Sequence, residues 1–241
     1  MEKIILDSGF FFGMGFFETI KIVNGKPILL KEHLNRINNS LSYFNIDQVV
    51  LENEIFDFID KNDKKSYALK ISVSDENKII TTREDPYNHI IEEKIKLNFA
   101  TTLRNSTSPM VYHKSFNYMD NILEKRRAKE RGFFEPIFLN ENGYIAEGAV
   151  SNIFFIKNEK LFTPKISVGI LNGVMRDFFI KHFDVEEVFI KPEDLIDFDS
   201  GFITNSLMGY VEFDSLGDFN FKRNSLAKEF DKRLMDLGFI R

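Results

Sequence analysis

Residues 110–156 read MVYHKSFNYMDNILEKRRAKERGFFEPIFLNENGYIAEGAVSNIFFI, and this stretch decides the fold. Lys114 stands just before a predicted amphipathic helix. A strand, a glycine turn and a second strand follow, and Glu147 ends the second strand within a run of small residues. The pattern therefore predicts a helix–strand–strand segment with a lysine near its start and a lone carboxylate near its end.

A lysine and a carboxylate are two of the groups that a pyridoxal phosphate site needs. The lysine amine can form an imine with the cofactor, and the carboxylate can face the nitrogen of the cofactor ring. By spacing alone, Lys114 and Glu147 are also typical of a solvated lysine at a helix start and a glutamate at a strand end.

The residue identities in this stretch favour a cofactor site at Lys114 and Glu147. The runs Lys114-x-x-Asn117-Tyr118, Asn142-Gly-Tyr-Ile-Ala-Glu-Gly148 and Ser151-Asn-Ile-Phe154 resemble the class-IV aminotransferases, which are the fold-type-IV pyridoxal phosphate enzymes. The resemblance implies an α+β fold of two domains with the cofactor in the cleft between them. It also implies that Lys114 forms the imine and acts as the base, that Glu147 faces the pyridine nitrogen, and that Tyr118 lies near the phenolic oxygen.

The same resemblance implies where the cofactor phosphate binds. Arg36, in the run His33-Leu34-x-Arg36, matches the family's phosphate-binding arginine. A glycine turn at the start of a helix is an anion site in general terms, and in the family the two amides after this glycine bind the phosphate. The implied phosphate contacts beyond Arg36 are Val174, Met175, Asn205 and Ser206.

Two motifs favour one branch of the family. Asn172-Gly-Val-Met-Arg176 and Asn205-Ser-Leu-Met-Gly209 resemble the lyase members, which eliminate pyruvate from an amino-acid-like small molecule, more than the transaminases. The alternative function is that of a branched-chain or D-amino-acid aminotransferase. A third possibility is a noncatalytic relative of these enzymes. The sequence departs from the family at Met14, where many members have an acidic residue, and at Val211-Glu-Phe213, which lacks the usual proline.

Composition sets further bounds. The chain has 241 residues, 43% hydrophobic and 29% charged, with a net charge of −5 and no cysteine. These values are typical of a soluble globular protein, with neither disulfides nor a nucleic-acid-binding footprint. No apolar run approaches the roughly 18 residues of a membrane span. The N-terminus lacks a secretory signal, so we expect a cytoplasmic protein. The histidines show no metal-ligand spacing, and we expect no metal; they are His33, His89, His113 and His182.

The polar, proline-ended run Asn105–Pro109 is the best linker candidate. We place the domain boundary there, giving a smaller N-terminal α/β domain, residues 1–108, and a larger C-terminal domain, residues 109–241, that carries Lys114. The aromatic loop Phe10–Phe17 and the resemblance predict a homodimer. Arg83 and Arg104 are candidates for binding substrate carboxylates, although each is also typical of a solvated loop.

Overall fold

The computed structural model describes residues 3–87 and 94–239. The predicted mixed α+β fold of two domains is confirmed. The described residues divide into two compact units. The first unit contains residues 3–87, 113–117 and 234–239, and the second contains residues 94–112 and 118–233.

The first unit is built on a four-stranded antiparallel sheet with the strand order β2-β1-β3-β4. Asn24 and Gly25 join β1 to β2 with φ values of 50° and 76°, as the two-residue hairpin signal predicts. The sequence after this turn predicts a return strand over residues 26–30, but the strand ends at Pro27 because Leu29 also has a positive φ, of 53°, and precedes a helix. In chain order the elements are α1 Ser8–Phe12, β1 Gly15–Val23, β2 Lys26–Pro27, α2 Leu30–Tyr43, α3 Glu52–Asp60, β3 Tyr67–Ser74 and β4 Lys78–Arg83.

The two faces of this sheet differ in character. Helix α2 buries Leu34, Ile37 and Leu41, as its periodicity predicts. It also buries His33, although the helical spacing of Leu34, Ile37 and Leu41 predicts an exposed position for this histidine, and that prediction is wrong. Side chains alternate between the two faces along a strand. The opposite face of the sheet therefore carries residues that are only partly buried, and these include Phe17 on β1 and Lys70 on β3.

The second unit contains two five-stranded sheets, with the orders β10-β9-β8-β11-β12 and β14-β13-β5-β6-β7. Its buried Phe179 packs against Phe202 and Phe230 with ring centroids 4.9 and 5.1 Å apart, which fixes α5 on β11. The elements are β5 Lys96–Phe99, α4 Met119–Glu130, β6 Glu135–Leu139, β7 Ile145–Gly148, β8 Asn152–Lys157, β9 Lys160–Pro164, α5 Val174–His182, β10 Val185–Val188, β11 Ser200–Asn205, β12 Gly209–Glu212, β13 Ser215–Leu216, β14 Phe219–Asn220 and α6 Ala227–Asp236.

The segment around Lys114 joins the first unit, whereas the predicted boundary assigned it to the C-terminal domain. The reason is hydrogen bonding to β1. The Phe17 N–H donates to the Lys114 carbonyl at 2.9 Å, and the Phe116 N–H donates to the Gly15 carbonyl at 2.8 Å. Residues 94–112, which precede this segment, belong to the second unit.

Candidate active site

Lys114 is anchored through its backbone beside β1, and its side chain is half-buried. Its Nζ atom lies 4.6 Å from the centroid of the Phe17 ring. The Nζ atom of Lys70, on the neighbouring strand β3, lies at the same distance from that ring. The cofactor lysine predicted from the sequence therefore shares the exposed side of the sheet with a second lysine.

Lys70 has unusual surroundings for a strand lysine. Burial lowers the pKa of its ammonium group, and the charge of Arg83 lowers it further. Arg83 lies on β4, two residues from Thr81, which pairs directly with Lys70. Lys70, which contacts the same Phe17 ring as Lys114, and the exposed Arg83 together give this face of the sheet a positive charge.

Arg36 is held by a buried carboxylate. Its Nε and Nη2 atoms donate to the two carboxylate oxygens of Glu18 at 2.6 and 2.7 Å. The Nδ1 atom of His33 lies 2.7 Å from Glu18 Oε2. Burial lowers the pKa of His33, and the charges of Arg36 and Lys114 lower it further, against the raising effect of Glu18. The charges of Arg36 and Lys114 therefore both act on His33.

In the second unit, Glu147 lies on β7 with only 7% of its surface exposed. Its Oε2 atom accepts the Leu171 N–H at 3.0 Å, and its Oε1 atom lies 3.2 Å from Arg104 Nη2. The Arg104 guanidinium stacks on the Phe138 ring at 3.9 Å and donates to Asn121 at 3.2 Å. These contacts stabilise the ionised carboxylate and fix its orientation.

The solvated-loop interpretation of Arg104 is therefore wrong. Arg104 is 9% exposed, so it is not a solvated loop residue. Its guanidinium pairs with the Glu147 carboxylate. The physical reason is an isolated β-bridge between Arg104 and Asn140, which lies just beyond the end of β6 and holds the arginine against the sheet.

Other predicted site residues form hydrogen bonds to the turn that follows Glu147. The Tyr118 hydroxyl and the Asn121 amide donate to the Ala149 carbonyl at 3.0 and 2.6 Å. The Asn205 amide donates to the Val150 carbonyl at 3.1 Å. Tyr118 and Asn205 thus meet the backbone turn that carries Glu147.

Asn205 also shapes the turn that precedes Ser206. Its Oδ1 atom accepts the N–H groups of Leu207 and Met208 at 2.9 and 3.0 Å. Ser206 itself is half-buried. The side chain of Asn205 is therefore engaged in forming the turn, and Ser206 is the more suitable of the two for contacting a phosphate.

Helix α5 begins beside Glu147. Its first residues, Val174 and Met175, are buried, and Gly173 caps the helix without a side-chain hydrogen bond. A Cβ atom at Gly173 would lie 2.0 Å from Asn152 Oδ1. Asn152 in turn donates to the Leu171 carbonyl at 2.9 Å and contacts Glu147 at 3.4 Å. An uncapped helix start of this kind provides backbone donors for an anion such as a phosphate.

The residues present fit pyridoxal phosphate by their donor chemistry. The first unit supplies a lysine amine and an arginine that Glu18 holds, and the second unit supplies an oriented carboxylate and a helix start without a side-chain cap. Within residues 3–87 and 94–239, no group of three or more histidine or carboxylate side chains could hold a metal ion. His89 lies outside the described residues. Nor does any helix in the described part of the chain have the length and apolarity needed to cross a membrane.

Comparison with known proteins identifies the family. A family model described as amino-transferase class IV matches residues 15–216. The chain belongs to this family and is a pyridoxal-phosphate-dependent enzyme.

Relatives within the family have several activities. The chain is 30% identical to the aminodeoxychorismate lyase of Bacillus subtilis strain 168, covering 91% of this chain and 83% of the relative. It is 27% identical to a proposed branched-chain-amino-acid aminotransferase of Methanocaldococcus jannaschii, covering 97% and 90%. It is 25% identical to the D-alanine aminotransferase of Bacillus licheniformis, covering 88% and 82%.

Solved structures share the fold. A proposed 4-amino-4-deoxychorismate lyase from Legionella pneumophila has a TM-score of 0.88 and 25% identity, covering 98% of this chain and 96% of that one. A hypothetical aminotransferase from Mycobacterium tuberculosis, solved in its pyridoxal-phosphate-bound form, has a TM-score of 0.82 and 19% identity, covering 98% and 93%.

Proposed function

We propose that the protein is a 4-amino-4-deoxychorismate lyase, which releases pyruvate and forms p-aminobenzoate for folate biosynthesis in the cytoplasm. The identity with the Bacillus subtilis lyase supports this choice, as do the lyase-like motifs at Asn172–Arg176 and Asn205–Gly209. The observation that carries it is the positively charged sheet face beside Lys114.

That sheet face suits a substrate with two carboxylates. Aminodeoxychorismate carries one carboxylate on its ring and one on its enolpyruvyl group. The sheet face supplies two cations, Lys70, which contacts the same Phe17 ring as Lys114, and Arg83, which acts on Lys70. A branched-chain amino acid would instead place an apolar side chain against a half-buried ammonium group, which costs free energy because the charge stays unpaired. We therefore assign substrate-carboxylate binding to Lys70 and Arg83.

When bound, pyridoxal phosphate supplies an electron sink for the carbanion formed at the amine-bearing carbon. Lys114 anchors the cofactor and, once the substrate amine has replaced it, removes the proton from that carbon. Glu147 would pair with the pyridine nitrogen and keep it protonated. Arg104 and the Leu171 N–H contact the Glu147 carboxylate and fix its orientation.

Phosphate binding fixes the position of the cofactor ring relative to these groups. Loss of the proton and breakage of the bond to the enolpyruvyl oxygen aromatise the substrate ring, and the leaving group takes up a proton to become pyruvate. Tyr118 would contact the cofactor near its phenolic oxygen. Arg36, the amides of Val174 and Met175, and the turn at Asn205 and Ser206 would hold the phosphate.

The test is a substrate panel with the purified, cofactor-loaded enzyme. We expect aminodeoxychorismate to yield equal amounts of p-aminobenzoate and pyruvate without any added oxo acid. D-alanine and leucine, each supplied with 2-oxoglutarate, should give little glutamate, and Lys114→Ala should be inactive throughout. Glutamate formation without p-aminobenzoate would overturn the proposal in favour of an aminotransferase.

We also propose a homodimer. The N-terminal segment exposes several large apolar side chains, with Phe10 at 63% and Phe12 at 74%. Clustered apolar surface of this kind is typical of an interaction site. Sedimentation at micromolar concentration should give twice the mass of one chain, and a monomeric mass would contradict the proposal.

A further inference from the structure

Glu18 and His33 form a buried layer beneath Arg36. The exposed fractions of the Glu18 and His33 side chains are 0% and 1%, whereas that of Arg36 is 15%. Glu18 accepts the Nε and Nη2 donors of Arg36 and also contacts His33. A two-point contact between a carboxylate and a guanidinium fixes the plane of the guanidinium as well as its position.

This arrangement calls for an explanation beyond stability. Buried ion pairs are weak evidence for stabilisation, because the cost of removing two charges from water offsets their attraction. The Nε2 atom of His33 is buried without a hydrogen-bond partner among the described residues, which is a further cost. Because this network contributes little to the stability of the fold, we explain it by its effect on Arg36, the least buried of the three residues.

The protonation states agree with the geometry. Burial raises the pKa of Glu18, but the charges of Arg36 and His33 and their hydrogen bonds outweigh it and hold the pKa below its usual range. The pKa of His33 is lowered, chiefly by burial. At neutral pH Glu18 is thus an anion, and a neutral His33 donates from Nδ1 to it. Glu18 therefore accepts from two residues and is fixed on both sides.

We propose that Glu18 and His33 are positioning residues that orient Arg36 for the cofactor phosphate. Glu18 sets the plane of the guanidinium, and His33 prevents the Glu18 carboxylate from rotating. The inference rests on the proposed assignment of Arg36 to the phosphate. It does not depend on which reaction the enzyme catalyses.

The test compares binding of pyridoxal phosphate with binding of pyridoxal, which lacks the phosphate, to the cofactor-free protein. Glu18→Gln replaces one carboxylate oxygen with an amide nitrogen, so a donor faces a donor of Arg36. We expect pyridoxal phosphate to bind about tenfold more weakly, the size of effect that the loss of one charge-assisted contact produces. Pyridoxal should bind within about twofold of the wild-type affinity, which also shows that the variant is folded.

Substitutions at His33 provide a matched pair if Glu18→Gln fails to fold. His33→Leu removes the contact to Glu18, whereas His33→Asn keeps a donor near the position of Nδ1. We expect the leucine variant to lose affinity for pyridoxal phosphate alone, by about fivefold, and the asparagine variant to recover most of it. Equal losses for both ligands would mean a general packing role and would overturn the inference.

A double-mutant cycle tests whether the effect passes through Arg36. Arg36→Ala alone should weaken pyridoxal phosphate binding strongly, and adding Glu18→Gln to it should cause no further loss. Full additivity of the two changes would overturn the positioning role. So would an Arg36→Ala variant that binds pyridoxal phosphate as tightly as the wild type. The substrate panel is independent, so failure of the lyase proposal leaves these outcomes interpretable.

Discussion

Replacing Glu147 with glutamine separates the electrostatic role of this residue from its structural role. The side chain keeps its shape, and only the charge and one acceptor are lost. If the amide oxygen of the new residue accepts the Leu171 N–H, its nitrogen must face Arg104, which is also a donor. In the variant, the new amide nitrogen and the Arg104 guanidinium, both donors, therefore face each other where Glu147 and Arg104 form an ion pair of 3.2 Å in the wild type.

The effect of the substitution on stability and its effect on turnover should differ in size. The unsatisfied contact at Arg104 should reduce the free energy of unfolding by about 1–3 kcal/mol, the usual cost of leaving a buried polar group unpaired. Turnover should fall by roughly 10² to 10⁴, as when a tuned electrostatic or proton-transfer group is lost. The reason is that a neutral amide cannot keep the pyridine nitrogen protonated. Binding of pyridoxal phosphate should persist, because the groups assigned to the phosphate are unchanged.

The assay combines urea denaturation, cofactor titration and the rate of p-aminobenzoate release. Glu130→Gln, at the exposed end of α4, is the matched control and should behave as the wild type. A Glu147→Gln enzyme that binds the cofactor and turns over at the wild-type rate would refute the reasoning. Glu147 would then be only a buried strand residue.

Other consequences follow from the same contacts. Lys70→Met should raise the KM for aminodeoxychorismate about tenfold with little change in kcat; an unchanged KM in steady-state assays would remove Lys70 from substrate binding. Gly173→Ala should lower the free energy of unfolding by about 1–3 kcal/mol, because its Cβ would meet the buried Asn152 side chain. An unchanged denaturation midpoint would show that Asn152 moves freely. Because the folded pKa of His33 is lowered, the unfolded chain binds more protons as pH falls below about 6.5, and the fold loses stability there. In His33→Leu, thermal melts between pH 7 and 5 should show a smaller pH dependence; an equal slope would assign the loss to other groups.

Periodicity in the sequence was sufficient where burial follows apolar residues. The strand β1, the Asn24-Gly25 hairpin and the face of α2 with Leu34 and Ile37 all agree with the pattern. These features depend on side-chain alternation and turn chemistry, both of which are local.

Periodicity misled where polar side chains are buried. The sequence predicts an amphipathic helix after Lys114, but α4 buries Asn121, Glu124 and Ala128, and Ile122 is exposed. Glu124 accepts the backbone N–H groups of Thr101 and Thr102, so its burial depends on partners far away in the chain. A local pattern cannot identify such partners.

The candidate site shows the same division. The motifs predict roles for Lys114, Glu147 and Arg36, but not the groups that contact these side chains. His33 lies within a quoted motif without an assigned role, the motifs do not include Glu18, and the sequence is also compatible with Arg104 as a solvated loop residue. The position of Lys70 became apparent only from the pairing of β1 with β3, which puts Lys70 opposite Thr19 and near the Phe17 ring.

The identity of the cofactor lysine is the central claim, and borohydride reduction tests it most directly. The enzyme is loaded with pyridoxal phosphate, reduced, digested and analysed by mass spectrometry. The account predicts that the reduced cofactor is attached to Lys114, and that Lys114→Ala traps none. Cofactor attached to Lys70, or trapped in the Lys114→Ala variant, would contradict it.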